Sequence, residues 1–261
     1  MECMSTEPSR TALAARLRAL HVPGDPLVLP NVWDCASARA VADAGFPAVA
    51  TGSAAVAPAL GYEDREGTPA DEMLAAVARI ARAVPAPVTA DMERGYGMGP
   101  AELAERLAAT GAVGCNLEDT DHRTGAPADA GEQAEYLAGL RAADPDLVIN
   151  ARTDRFVRGA GGPAERLADA ADRMRAYLEA GADCVYPIGA LDETAVRAVV
   201  EAVDGRPVNV LSWPGGPSPA RLAELGVARI SFGHQLHQLV QEYFTGLVAA
   251  VARGDSPFPK A

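Results

Sequence analysis

Cysteine is scarce in this sequence and scattered: Cys3, Cys35, Cys115 and Cys184 form no CxxC pair and no Cys/His ligand spacing. That pattern argues against a disulfide framework or a structural zinc site and leaves reduced thiols. Aromatic residues make up only 5% of the chain, and positive charge is short too, with 23 Lys+Arg against 35 Asp+Glu for a formal net charge of −12. No segment gathers enough Lys or Arg to track phosphates, so nucleic acid and anionic membrane surfaces are not expected as partners. Also missing are an apolar run of about 18 residues and, near the start, the basic and apolar regions of a secretory signal, so a cytoplasmic protein is expected. An acidic protein that binds an anionic metabolite must oppose its own field locally, with a positioned Arg or a bound metal.

What is present is an ordinary globular composition, 49% hydrophobic and 22% charged over 261 residues. That length suits one α/β barrel of about 250 residues or two smaller domains. Eight short apolar runs recur: LVLPN (27–31), PAVAT (47–51), PVTAD (87–91), VGCNLED (113–119), LVINAR (147–152), DCVYPI (183–188), PVNVL (207–211) and ARISF (228–232). Several are almost continuous in Val, Ile, Leu and Ala, as strands of a parallel sheet are when both faces are covered. Helical segments lie between them, such as 163–180, where Leu167, Ala171, Met174 and Leu178 share one face. Three similar phrases, AGF (44–46), TGA (110–112) and AGA (180–182), place Gly where a helix C-terminus needs a left-handed residue. The pattern predicts a single α/β domain over 1–261, a (β/α)8 TIM-type barrel with a leading helix near 9–20 and a last helix near 234–252. A doubly wound open sheet is the competitor, weakened because no Gly-x-Gly-x-x-Gly follows the first strand.

A barrel of this kind carries its active site at the C-terminal ends of the strands. The polar residues there are Thr51-Gly52-Ser53, Asp91 and Glu93, Asn116 and Glu118, Arg152 and Asp154, Asn209, and Ser231 leading to His234. Asp91, Glu93 and Glu118 would converge, and three close carboxylates cannot all stay ionised without a cation. Oxygen-only donors suit Mg2+ or Mn2+ better than zinc; the plainer alternative is that these acids cap helices or pair with Arg94 and Arg123. Arg152 closes an apolar strand, so its head either binds a substrate carboxylate in bidentate fashion or pairs with Asp154 or Glu118. The 51–53 triplet offers hydroxyls and N–H groups to a second anionic end, or is a simple turn. Residues 95–99, GYGMG, lack the Lys and Ser/Thr of a P-loop and read as a flexible turn. The stretch LGYEDREG (60–67) is long enough to act as a lid that carries Asp64 to the site. Nothing near Cys115 would lower its pKa, so it reads as a core residue.

These strand-end residues resemble the isocitrate lyase/phosphoenolpyruvate mutase superfamily, through PNVWDCASARAVADAGFPAVATGS, LGYED, TADMERGYG, GVGCNLED and NARTD, spread over about residues 27–235. They are most similar to phosphonomutase-like bacterial members, whose third strand reads Asp-x-Glu. The resemblance implies a Mg2+-dependent enzyme on a barrel whose last helix is swapped with a neighbouring subunit, giving a dimer and commonly a dimer of dimers. By position it implies Asp91 as the principal metal ligand, with Glu93 and Glu118 acting mainly through the ion's waters. It also implies that Thr51, Gly52 and Ser53 grip the α-keto acid carboxylate, that Asp64 lies on the gating loop and that Arg152 binds substrate oxygens. Superfamily chemistry makes or breaks a C–C or P–C bond beside an α-keto acid, through an enolate-like oxyanion in most lyases.

Departures from that pattern bear on substrate. Residues 119–131, DTDHRTGAPADAG, lack the Cys of the Lys-Arg-Cys-Gly-His segment of isocitrate and methylisocitrate lyases, and lack the Asn of the mutases. The Glu that lyases place after strand 6 is replaced by Tyr186-Pro187-Ile188. A proton donor must then come from elsewhere: His234 is expected in that catalytic role, ahead of His122, whose loop reads as mobile. The resulting expectation is a Mg2+-dependent carbon–carbon lyase or decarboxylase acting on a small α-keto or 2-hydroxy dicarboxylate, with Arg152, the 51–53 loop and Asn209 holding the substrate. A phosphonopyruvate-type mutase or hydrolase and a non-catalytic keto-acid-binding barrel are the alternatives.

Overall fold

In the computed structural model, which describes residues 8–158 and 160–258, the first apolar run becomes two short strands, β1 (Leu27–Leu29) and β2 (Asn31–Val32). Between them Pro30 has no N–H to give a ladder. The other runs form β3 (Val49–Thr51), β4 (Val88–Asp91), β5 (Gly114–Glu118), β8 (Val148–Thr153), β9 (Cys184–Pro187), β10 (Asn209–Leu211) and β11 (Arg229–Ser231). Pairing is parallel throughout, in the orders β2-β3-β4-β5-β8-β9 and β1-β11-β10, and a parallel bridge between Val185 and Val208 joins the two sets. With β1 and β2 as the two halves of one strand, the eight positions close into the expected barrel, which removes the open-sheet alternative.

Ten helices connect and surround the strands among the described residues: α1 (Arg10–Ala19), α2 (Cys35–Asp43), α3 (Ser53–Leu60), α4 (Ala70–Ala83), α5 (Pro100–Thr110), α6 (Ala130–Ala143), α7 (Pro163–Glu179), α8 (Glu193–Ala202), α9 (Pro219–Glu224) and α10 (Gln235–Ala252). Local chemistry starts them. The carboxylates of Asp34, Asp129 and Asp192 accept from first-turn N–H groups of α2, α6 and α8, and Pro opens α5, α7 and α9, where its missing N–H costs nothing. The glycines of the three repeated phrases, Gly45, Gly111 and Gly181, all adopt positive φ. On α7, Ala171, Met174 and Leu178 are buried and Leu167 packs against the same core.

Ala14 and Leu17 of α1 pack with Leu27, Ala48, Val113 and Val148 at the starts of the strands, so α1 closes the barrel's N-terminal end. Access to the interior is from the other end. Two features exceed the sequence reading: the extra helix α3, and an antiparallel hairpin of β6 (Thr120–Asp121) and β7 (Ala126–Pro127) after β5. The last helix differs from the rest. None of the 18 residues of α10 is buried, and Leu239, Tyr243, Phe244, Val248 and Val251 are exposed. No described helix is long and apolar enough to cross a membrane. Cys115 and Cys184 are buried and unpaired, Cys35 is unpaired, and Cys3 lies outside the described residues.

Candidate active site

Alternation along the strands sends Ala90, Cys115, Leu117, Ile149, Ala151, Val210 and Ile230 out into the helical layer. Their neighbours Asp91, Asn116, Glu118, Asn150, Arg152, Asn209, Arg229 and Ser231 point inward. These inward residues line a cavity of about 230 Å3 at the strands' C-terminal ends. That is below the about 300–1,000 Å3 of sites for drug-sized ligands, so a small metabolite fits and a nucleotide does not.

Asp91, at the end of β4, takes the most hydrogen bonds of the three acids Asp91, Glu93 and Glu118. Its Oδ2 accepts from the Ser53 N–H at 2.9 Å and the Ser53 hydroxyl at 2.8 Å, and its Oδ1 accepts from Asn116 Nδ2 at 2.9 Å. Asn150 Nδ2 in turn donates to Asn116 Oδ1 at 2.8 Å, so a relay across three strands fixes the carboxylate. Thr51 Oγ1 accepts from the Asp91 N–H at 2.9 Å, and the Gly52 N–H donates to the Val32 carbonyl at 3.2 Å. The 51–53 segment thus spends most of its hydrogen bonds on Asp91 and the neighbouring strand β2. As observed here it orients the acid, a use its TGS sequence does not reveal.

Glu93 stands in the left-handed region at φ +48° on the turn after β4 and is 2% exposed. Its Oε1 accepts from the Tyr96 hydroxyl at 2.6 Å and its Oε2 from the Glu66 N–H at 2.7 Å. Burial pushes its pKa up to about 8, opposed by the Tyr96 hydrogen bond and helped by the charges of Asp91 and Asp64. The Glu66 carboxylate accepts from the Tyr96 N–H at 2.6 Å, which ties the 60–67 loop to the turn at 95–99. The loop folds over the cavity as a lid would, and Asp64 and Arg65 lie on the lining. Gly67 is required there: a Cβ would meet the Glu63 carbonyl oxygen at 2.4 Å.

Arg152 carries both of the partners weighed for it. Nε and Nη2 donate to the two oxygens of buried Asp154 at 2.6 and 3.1 Å, while Nη1 stands 2.6 Å from Glu118 Oε2. The structural ion pair is therefore formed. A guanidinium has five N–H bonds, so about two remain free to reach a ligand in the cavity that Arg152 lines. Burial raises the pKa of Glu118, with Arg152 opposing.

The two histidines sit the other way round from expectation. His234 is an exposed residue on the cavity rim at the start of α10, with no side-chain capping bond. His122, held by the β6–β7 hairpin, is only 10% exposed, with Nε2 at 3.2 Å from Glu118 and 3.6 Å from Glu93. Contact with Glu118 raises its pKa despite burial.

The opposite side of the cavity holds Asn209, expected there from the sequence, together with Arg229 and Asn31, which the sequence did not single out. Asn209 is buried and its Oδ1 accepts from the Ser231 hydroxyl at 3.2 Å, but Nδ2 has no partner. Arg229 is 3% exposed, with Nε and Nη1 unpartnered. Asn31 joins the strand ends, donating to the Thr51 carbonyl at 3.0 Å and accepting from the Phe232 N–H at 2.8 Å. Cys115 faces the helical core, where burial pushes its thiol up to about 12, too high for a nucleophile.

The family model described as phosphoenolpyruvate phosphomutase matches residues 17–252. The chain belongs to the phosphoenolpyruvate mutase family. Within the family's wider superfamily, a candidate phosphonomutase from Burkholderia cenocepacia J2315 is 43% identical with a TM-score of 0.86, over 90% of this chain and 98% of that one. The oxaloacetate decarboxylase of Rhodopseudomonas palustris is 33% identical over 80% of this chain and 72% of its own length. A 2,3-dimethylmalate lyase structure is 26% identical with a TM-score of 0.83, over 95% of this chain and 90% of that one.

The superfamily resemblance implies a Mg2+ ion beside these acids. Among the described residues no three His, Cys, Asp or Glu side chains converge as direct ligands, so a fully protein-bound ion does not fit. Asp91, Glu93 and Glu118 nonetheless line one cavity, and burial raises the pKa of Glu93 and Glu118. Such a set fits a hard ion held at one carboxylate and otherwise by water, the habit of Mg2+.

Proposed function

We propose that this family member is a Mg2+-dependent carbon–carbon lyase or decarboxylase acting on a small α-keto or 2-hydroxy dicarboxylate. The observation that carries the reading is Asp91, fixed by three donors at the mouth of a cavity sized for a small acid, with Arg152 and His122 on the same lining. The oxaloacetate decarboxylase and 2,3-dimethylmalate lyase among its relatives support it.

Asp91 would hold Mg2+ directly, with Glu93 and Glu118 holding its waters; bound there, the ion supplies Lewis-acid stabilisation of a developing oxyanion. The free N–H bonds of Arg152 orient the substrate carboxylate and add to that stabilisation. Thr51, Gly52 and Ser53 act chiefly by setting Asp91. Asp64 and the 60–67 loop exclude water when a ligand is seated. The proton that quenches a released enolate comes from His122, whose pKa the contact with Glu118 raises, rather than from His234 on the rim.

A mutase or hydrolase acting on phosphonates is the second reading, favoured by the 43% identity to the candidate phosphonomutase. Against it stands the segment 119–131, which has no Asn. A time course by 1H and 31P NMR with Mg2+, run on oxaloacetate, dimethylmalate, isocitrate, methylisocitrate, phosphonopyruvate and phosphoenolpyruvate, separates the two. New keto-acid or succinate signals, slowed in His122→Gln and absent in Asp91→Ala, are expected. A shifted phosphorus signal would replace the lyase reading with the mutase one, and silence with keto acids still bound would favour a binding barrel without turnover.

Assembly follows from α10. A helix with no buried residue that exposes Leu239, Tyr243, Phe244 and Val248 fits a seat on a second subunit, as in the swapped dimer and dimer of dimers that the superfamily resemblance implies. Sedimentation should show an oligomer that Tyr243→Asp with Phe244→Asp dissociates; a monomeric parent protein would refute the swap.

A further inference from the structure

Arg173 and Arg229 are the two buried arginines among the described residues, and only Arg173 has a counter-charge. Arg173 Nη1 lies 3.1 Å from Asp119 Oδ2 and donates to the Ala128 carbonyl at 2.9 Å. Arg229 forms no ion pair with any described carboxylate, and its Nε and Nη1 meet no acceptor. A guanidinium keeps its proton in a protein, so this charge cannot be removed by neutralisation. Asp91 is the carboxylate whose charge reaches it, but both Asp91 oxygens are committed to Ser53 and Asn116. Thr89 Oγ1 and Asn150 Oδ1, which line the same cavity, are also unpartnered. Bridging water could join these acceptors to Arg229, yet neutral acceptors supply no negative charge.

Geometry says what would. Arg229 and Asn209 are register partners on the adjacent parallel strands β11 and β10, and Ile230 and Val210 beside them point outward. Guanidinium and amide therefore project side by side into the cavity and present N–H groups in a fork that matches a carboxylate. We propose that Arg229 with Asn209 forms a carboxylate subsite on the cavity floor, which takes the second carboxylate of the substrate and selects dicarboxylates over monocarboxylates. The assignment rests on the keto-acid reading for its ligand class and adds a specificity residue at the end of the cavity away from Glu93.

The test is titration calorimetry of the full chain with Mg2+, using malonate and succinate against acetate and pyruvate. The unmodified protein is expected to prefer the dicarboxylates by at least about tenfold. Arg229→Met should abolish that preference and change monocarboxylate affinity by less than about threefold, while Arg229→Lys should keep part of it. Should Arg229→Met fail to fold, Asn209→Asp gives an independent reading: it sets a carboxylate against Arg229, so the same preference should vanish from a folded protein. Preference surviving in either variant, or missing from the unmodified protein, overturns the proposal. If dicarboxylates bind through Arg229 but nothing is turned over, the lyase reading fails and this one stands. Turnover with a preference indifferent to Arg229 gives the reverse.

Discussion

On the β4–β5 wall of the cavity the carboxylates already have donors, whereas on the β10–β11 wall the Asn209 amide and two nitrogens of Arg229 have no acceptor. Asp91 takes three hydrogen bonds, Glu93 two, and Glu118 faces Arg152. Across from them, Asn209 Nδ2 and Arg229 Nε and Nη1 have no acceptor. Negative charge is in excess on one wall, and on the other a positive charge has no counterpart. A cation held at the first wall and a carboxylate held at the second would satisfy both, which makes the cavity a polarised slot with a defined direction for its ligand. Specificity then comes from the bare wall, and activation from the crowded one.

The largest break in this contrast is Asp91→Ala, expected to cut turnover by about a thousandfold or more, the scale of several kcal/mol of lost Lewis-acid stabilisation. Substrate depletion followed by NMR reads it, and activity within tenfold of the unmodified protein would sink the metal assignment. Asn116→Leu leaves Asp91 in place but removes the donor that fixes Oδ1. A drop in Mg2+ affinity of about 10–100-fold is expected in a titration, as for other groups that orient a metal ligand; unchanged affinity would mean the relay is structural only.

The smallest effect concerns Glu93. Its pKa is raised to about 8, so the folded protein holds this proton more tightly than the unfolded chain does. The resulting stability is present in full below the unfolded value and is lost as pH climbs towards about 8. Mg2+ favours the ionised form, so its affinity should rise by up to about tenfold between about pH 6 and about pH 8. Glu93→Gln should flatten that rise, and a pH-independent affinity in the unmodified protein would detach Glu93 from the metal.

The contrast between the walls is also a contrast in legibility. Asp91, Glu118 and Arg152 end apolar runs, and a charged residue there has few uses besides the barrel mouth. Arg229 begins its run, ARISF, where an Arg reads as the last residue of a solvated loop. Only the register of β11 against β1 and β10 shows that it turns inward. The burial of His122 was hidden for a related reason: the four-residue turn of the β6–β7 hairpin, which seats it beside Glu118, has no strand-like periodicity to announce it. Glu93 depends on a left-handed backbone that its own residue type disfavours, so its burial follows from the Tyr96 and Glu66 contacts rather than from local propensity. The barrel itself was plain, because each strand is a hydrophobic run bounded by cap and turn residues.

The seam between β1 and β11 has a consequence for how the chain is made. Leu27 pairs with Arg229, so the ring shuts only when nearly the whole polypeptide has left the ribosome. A nascent chain can assemble the acidic wall early, but the guanidinium arrives on the closing strand itself. A ligand that spans both walls can therefore recognise only the finished ring, and it should lengthen the lifetime of the closed barrel without hastening its formation.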